Sequence, residues 1–366
     1  FYTYAFFQTP SGILFDNFNP RKIIAFSILT CSLGSLAFGL SPNVIVSALA
    51  RLLMGAGSAF AFVSVLVVTA DLFQNKYFAF ITGITQMLAA LGAMSGQIPL
   101  SKLVNVIGWR HTMVVLAMIG FVLALLIWIF LTYQKEHHLS SEENLPLLKS
   151  LKQIIRHRQT WVIAIYACLL WAPMSGFASL WGVPFLMSAY HLSHTEAATL
   201  TAFMWLGLAL FSPILGYWST AIERRVLPLA LSAFVGFLAF AFVLFDLTSP
   251  IWLLGLFLFL AGGACSGQAL SFSVIRENND PRQRATAIAI NNMAVVLSGA
   301  FFQPMIGRLL EFFKATAIGQ EIHCSIQGYQ YSLLMILLSY FIGALIALFF
   351  IKETFAKEIT SYQSKT

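Results

Sequence analysis

Gly12-Ile13-Leu14-Phe15-Asp16-Asn17-Phe18-Asn19-Pro20-Arg21-Lys22 is a short polar break between two apolar runs, and its parts return late in the chain. The second copy reads Gly216-Tyr217-Trp218-Ser219-Thr220-Ala221-Ile222-Glu223-Arg224-Arg225: a glycine, a turn, then a basic pair. The shift between the copies is about 205 residues, and three further anchors share it. Gly57 and Ala59 return as Gly262 and Ala264, and Asp71 returns as Glu277. The pair Gln86 and Gln97 returns as Asn292 and Gln303. Four anchors at nearly one shift point to a duplicated architecture, with the plane where the copies meet as the place to look for function.

Composition says what surrounds this duplicated chain. Apolar residues make up 59% of it, charged residues 10%, and the mean hydropathy is +0.82. Soluble domains are about a quarter charged. A chain of 366 residues cannot hide so much Phe, Leu, Ile and Val from water, whereas lipid accepts it. Only helices and closed barrels satisfy every backbone group in hydrocarbon, and the period-2 alternation of barrel strands is absent. The fold class expected is therefore all-α, a polytopic membrane protein.

Apolar runs between charge and Gly/Pro punctuation give one partial and ten full spans. They cover roughly 1–15 (partial), 22–40, 44–70, 78–100, 111–132, 161–187, 196–218, 226–245, 251–274, 285–307 and 329–351. Residues 133–160 form a long polar linker, so the expected organisation is a front bundle 1–132, the linker, a back bundle 161–352 and a tail 353–366. Counting back from Trp161 by the repeat places the front counterpart about 45 residues before Phe1. The chain also opens inside an apolar run without Met. The first helix and half of the second are expected to lie upstream.

Most of the 21 lysines and arginines fall in one set of loops, including the linker and the tail. The opposite loops hold Lys102, Arg110, Arg308 and Lys314, and Arg51 lies inside a span. That bias puts the linker and the C-terminus on the cytoplasmic side of a cell membrane. It also explains the net charge of +7 without a nucleic-acid partner. Cys31, Cys168 and Cys265 sit in apolar runs, Cys324 sits in a loop, and no CxxC pair suggests a metal or a disulfide framework.

Several residues stand out against the greasy background. Gln86, Ala90, Ala93 and Gln97 share a helix face, as do Asn292, Val296, Gly299 and Gln303, with Asn291 beside them. Such stripes serve either helix–helix hydrogen bonding or solute contact. Trp171 and Ser175 share a face interrupted by Pro173 and Gly176, which predicts a bend. Asp71, Asp246 and Glu277 all sit at span ends, so no carboxylate lies deep in a span. A proton-coupled carrier needs such an acid; the coupling residue then lies upstream, or the protein works without protons.

The loop Gly12–Lys22 resembles the signature between the second and third helices of the major facilitator superfamily, Gly-x-x-x-Asp-Arg-x-Gly-(Pro)-Arg-Arg/Lys. The glycine, the acid and the basic pair are kept, while Asn17 and Asn19 replace the Arg and the second Gly. The second copy has Thr220 and Glu223 at the acid and glycine positions. Arg51-Leu52-Leu53-Met54-Gly55-Ala56-Gly57-Ser58-Ala59 resembles the fourth-helix pattern Arg-x-x-x-Gly-x-Gly-x-Ala.

The resemblance implies two six-helix bundles rocking around a central site. Gly12, Asp16, Arg21, Lys22, Asp71, Gly216, Arg224, Arg225, Glu277 and Arg284 would form the cytoplasmic gate. Within it, Asp16 would sit at the N-terminus of the eleventh helix near Arg284, and Arg21 and Lys22 would pair with Asp71. The substrate set would be Arg51, Gln86, Trp171, Ser175, Asn291 and Asn292, with Arg51 drawing an anionic group. Trp181–Pro184, Arg276-Glu277-Asn278 and Gly96-Gln97-x-Pro99-Leu100 resemble a bacterial branch related to lysosomal dipeptide transporters, which implies dipeptide or amino-acid cargo. A drug or organic-anion exporter is the alternative within transport; a receptor or scaffold on the same fold is the alternative outside it. No catalytic motif, cofactor or metal is expected. The partners are a small solute, the lipid bilayer and a coupling proton.

Overall fold

A computed structural model describes residues 2–97, 99–131, 147–313 and 325–357. The first part of the linker, Cys324, the end of the tail and the side chains of Gln97 and Pro99 lie outside the described residues. The front elements are α1 (Tyr2–Asn17), α2 (Pro20–Gly39), α3 (Val44–Ser58), α4 (Ala61–Leu72), α5 (Asn75–Gln97) and α6 (Pro99–Phe130). A linker helix α7 (Leu147–Arg156) leads to α8 (Arg158–Ala172), a π-helical stretch Pro173–Trp181 and α9 (Gly182–Tyr190). There follow α10 (His194–Ala221), α11 (Val226–Phe245), α12 (Ile251–Ala264), α13 (Ser266–Glu277), α14 (Arg284–Phe312) and α15 (Ile326–Phe349).

Ten stretches among the described residues are helical, long enough and apolar enough to cross a membrane. Their outer faces carry large apolar side chains such as Phe6, Val106, Trp252 and Phe349, each more than 70% exposed. Water would penalise those faces and lipid does not. The chain is an integral, multi-pass membrane protein.

The local chemistry explains where helices begin and break. Asn19 caps α2 by accepting from the Arg21 amide, with Pro20 at the first helical position. Ser193 and Glu196 form a reciprocal capping box at the start of α10. The spans Val44–Leu72 and Ile251–Glu277 are each interrupted, between α3 and α4 at Ala59–Phe60 and between α12 and α13 at Cys265. Those two breaks occupy positions that the repeat equates, each just after a glycine pair.

Two features differ from the sequence expectation. The bend expected at Pro173 and Gly176 is a nine-residue π-helical stretch, where the widened backbone lets Ser179 Oγ donate to the Met174 carbonyl at 2.7 Å. The linker, read as a polar stretch, contains α7. Leu148, Leu151, Ile154 and Ile155 recur at helical spacing there, and Ile154 is buried.

The helices fall into two groups. In front, α2 packs on α3 and α6; behind, α10 packs on α12, and α11 on α15. The groups meet along α5–α10 and α1–α14.

Candidate functional site

The named contacts between the two groups concentrate at the end that carries the basic loops. Asp16, at the end of α1, accepts from the Ala285 and Thr286 amides of α14 at 3.0 Å each, and from Thr286 Oγ at 2.5 Å. An anion there meets the unsatisfied N–H groups and positive dipole end of α14, which Arg284 begins. Gly12 makes this approach possible: a Cβ at Gly12 would lie 2.6 Å from Ala289 Cβ and 2.7 Å from the Ala285 carbonyl oxygen. On the other side, a Cβ at Gly216 would lie 2.3 Å from the Ala79 carbonyl oxygen of α5. Gly12 with Ala285 and Gly216 with Ala79 are matching pairs under the repeat.

The second loop is an anchored version of the first. Arg225, 1% exposed, forms a two-pronged pair with Glu277 through Nε at 3.1 Å and Nη2 at 2.7 Å to Oε1. Its Nη1 donates to Ser219 and Thr220 at 2.9 and 3.1 Å. The tail closes over the pair: Thr354 Oγ donates to Glu277 at 2.5 Å, and Glu353 accepts from the Arg225 and Val226 amides at 2.7 and 3.0 Å. A buried pair of charges persists only when its remaining lone pairs and protons are met, and these partners meet them. Arg224 lies over the Phe355 ring.

The first loop is arranged differently. Arg21 turns to the end of α6, donating to the Trp128 carbonyl and lying 5.4 Å from the Trp128 ring centre. A guanidinium is favoured at a helix C-terminus, so α6 competes with Asp71 for it. Lys22 and Asp71 are exposed. Arg276 is a gate residue that the repeat does not point to, since its counterpart is Ala70. It is 2% exposed, lies 4.4 Å from the Phe78 ring centre of α5, and points Nη2 at the Ala70 carbonyl at 3.4 Å. Glu353 and Thr354 were equally invisible, because a tail charge looks like any solvated residue.

Deeper in, Asn291, Asn292 and Gln86 are buried while Trp171 is half-buried. Asn291 Nδ2 donates to Ser271 Oγ of α13 at 2.8 Å. Gln8 of α1 donates through Nε2 to the Ala59 carbonyl at 2.9 Å. Ser175 Oγ meets Ser298 Oγ at 2.9 Å, and Gln303 Nε2 donates to the Ser175 carbonyl at 2.8 Å. Those contacts tie the π-helical stretch to α14. Trp171 stands edge-on to Trp205, centroids 6.3 Å apart.

Arg51 is not brought to this group. Its guanidinium is exposed and lies 4.8 Å from the Phe38 ring centre, which neighbours Trp109. A cation in an apolar span gains most by reaching toward the interface, and an aromatic face holds it there. Two cavities of about 680 and 670 Å³ open between α10 and α12 and around α1, α2 and α3; neither is lined by any of the six substrate candidates. Among the described residues no His, Cys, Asp and Glu group could hold a metal ion.

A family model described as the Major Facilitator Superfamily matches residues 1–183 and again 172–365. None of the curated proteins matches the chain in sequence. Among solved structures, the Escherichia coli fucose:proton symporter is similar at 14% identity and TM-score 0.72, over 94% of this chain and 88% of that one. A bacterial homologue of the iron transporter ferroportin, outward-facing, gives 12% identity and TM-score 0.70 over 94% and 86%. A bacterial homologue of the human lysosomal transporter Spinster, inward-facing and occupied, gives 18% and 0.56 over 94% and 86%.

Proposed function

The chain belongs to the Major Facilitator Superfamily, and from that premise we propose that it moves a small polar organic solute across a membrane by alternating access. The observation that carries this reading is the one-sided closure. Asp16 on α14, Arg276 on α5, and the Gly12 and Gly216 crossings all lie at the basic end, and all join one group of helices to the other. Contacts of that kind form in one state and break in the other, while the bundles 1–132 and 161–352 rock as units around the midplane. The basic end is the cytoplasmic one by the positive-inside rule, so the arrangement is a cytoplasm-closed state.

Gly12, Asp16, Gly216, Arg276 and Arg284 form the moving gate. Arg225, Glu277, Glu353 and Thr354 keep the back bundle rigid beside it. Gln86, Trp171, Asn291 and Asn292 face the solute in this reading. Dipeptide or amino-acid cargo follows from the looser sequence resemblance, and an organic anion is the competing cargo. No Asp or Glu among the described residues sits in the middle of a span, which favours facilitated movement over coupling through the described part of the chain.

Uptake of labelled solutes into proteoliposomes, with and without a pH gradient, tests the proposal. Saturable uptake abolished by closing the gate covalently supports it. Binding of a solute without flux of any solute tested would leave a receptor or scaffold.

A further inference from the structure

A trough of about 670 Å³ runs along the outside of the front helices, between α1, α2 and α3, with Trp128 of α6 at its basic end. On α1 it extends from Phe18, beside the basic pair, inward to Phe7. At 1.5 Å per residue that stretch of helix is about 16 Å long. One leaflet's hydrocarbon has the same depth, half of a core about 30 Å thick. Phe18, Phe26 and Trp128 line the trough and are exposed on faces that only lipid tolerates. The trough therefore opens sideways into the bilayer.

Its wall suits a hydrocarbon chain better than its sequence suggests. Ser27 and Thr30 both line it, yet each hydroxyl donates to a carbonyl of its own helix, Ile24 at 2.8 Å and Phe26 at 2.9 Å. Hydroxyls committed to the backbone leave no donor over for an occupant. Ala56 and Gly57 of α3 add depth because they carry little or no side chain. No lining residue is acidic.

The mouth is cationic. Lys22 lines it, is exposed, and makes no ion pair among the described residues. Arg21 is held beside it by the carbonyl and ring of Trp128. The Arg21 Nε has no hydrogen-bond partner among the described residues. The acid of the same loop, Asp16, is committed to the amides of α14. An apolar trough one leaflet deep, headed by two cations and an indole, has the shape and charge of a bound lipid turned inside out. We propose that it holds an anionic phospholipid of the leaflet at the basic end, with an acyl chain along α1 and the phosphate on Lys22 and Arg21. A zwitterionic headgroup would add an ammonium for which the lining offers no carboxylate.

Native mass spectrometry of the purified full chain tests this, with phosphatidylglycerol, phosphatidylethanolamine, phosphatidylcholine and inorganic phosphate as probes. One phosphatidylglycerol should bind more tightly than either zwitterionic lipid. Lys22→Gln should weaken that first site about fivefold, the share of one cation at a lipid surface. Ala56→Phe fills the trough with both cations in place, and it should weaken the same site at least as much. Lys22→Gln changes an exposed side chain and carries the test if Ala56→Phe does not fold. Phosphatidylglycerol binding no tighter than the zwitterionic lipids overturns the proposal, as does binding that either folded variant leaves unchanged. Displacement of the lipid by an equal concentration of inorganic phosphate overturns it too, because the anion alone would then be recognised. So does a dimer that phosphatidylglycerol cannot dissociate and Ala56→Phe abolishes, which would put a second copy in the trough. Each readout is binding, so a failure of the transport reading leaves this one standing.

Discussion

Replacing Asp16 should open the basic end without unfolding the protein. In the closed arrangement its carboxylate accepts three hydrogen bonds from the first turn of α14. Losing such a cap costs about 0.5–2 kcal/mol. Losing a negative charge at a partly buried helix N-terminus costs a further ~0.3–2 kcal/mol. A sum near 2–3 kcal/mol lowers the closed-to-open ratio roughly 30- to 160-fold. Because the contact joins α1 to α14, the loss falls on the state equilibrium, not on either bundle's packing. Asp16→Asn keeps a cap of nearly equal quality and loses mainly the charge, so its effect should be smaller, roughly 2- to 30-fold. Spin labels at exposed Asn17 and Glu223 read the distance across the basic end in pulsed spectroscopy. Asp16→Ala should convert the short-distance population into a long-distance one, with Asp16→Asn in between. Identical distributions in all three proteins would refute the reasoning; so would equal shifts in the two variants, which would mean that charge alone matters.

Valine at Gly12 or at Gly216 should prevent the same closure by bulk, costing about 1–3 kcal/mol, or 5- to 150-fold in population. Uptake should fall accordingly while thermal stability in detergent changes little. Arg225→Ala should strand Glu277 and destabilise the back bundle by about 3–5 kcal/mol; a double replacement of Arg225 and Glu277 by Met should recover most of the loss in a thermal unfolding assay. His157, just before α8, has its pKa lowered below 6.5, chiefly by burial, with Lys352 nearby adding to the effect and Asn279 opposing it. The unfolded state therefore binds the proton more readily. Stability should be full above pH 6.5 and decline as pH falls toward the depressed folded value, and His157→Asn should flatten that slope of Tm against pH.

The fold was readable because its signals are long. Spans of twenty apolar residues, a polar linker and a bias of Lys and Arg are written over many positions. The structure places a helix at each expected span, with ends matching at Val226–Phe245, while α6 begins about a dozen residues before the expected 111. Asp16 and Gly12 were readable because a repeat drew attention to them. Gln8 was not, since one amide in an apolar helix is no pattern until its neighbours are known. Arg276, Glu353 and Thr354 escaped for a related reason: each acts on another element far away in sequence, with no counterpart in the other copy. Arg51 was conspicuous and lies away from the buried seam. A long side chain lets its charge sit well away from its own Cα, so position in sequence says little about where the guanidinium goes.

The two basic loops also differ in their access to dissolved ions. Arg225 is sunk against Glu277 beneath the tail, whereas Lys22 and Asp71 lie at the surface. Surface charges weaken beyond about 8–10 Å at ordinary ionic strength, while enclosed pairs are screened far less. Raising the salt concentration thus weakens the surface charges around Lys22 and Asp71 while the Arg225–Glu277 pair stays nearly untouched. A duplicated framework has become a device with a fixed jaw and an adjustable one.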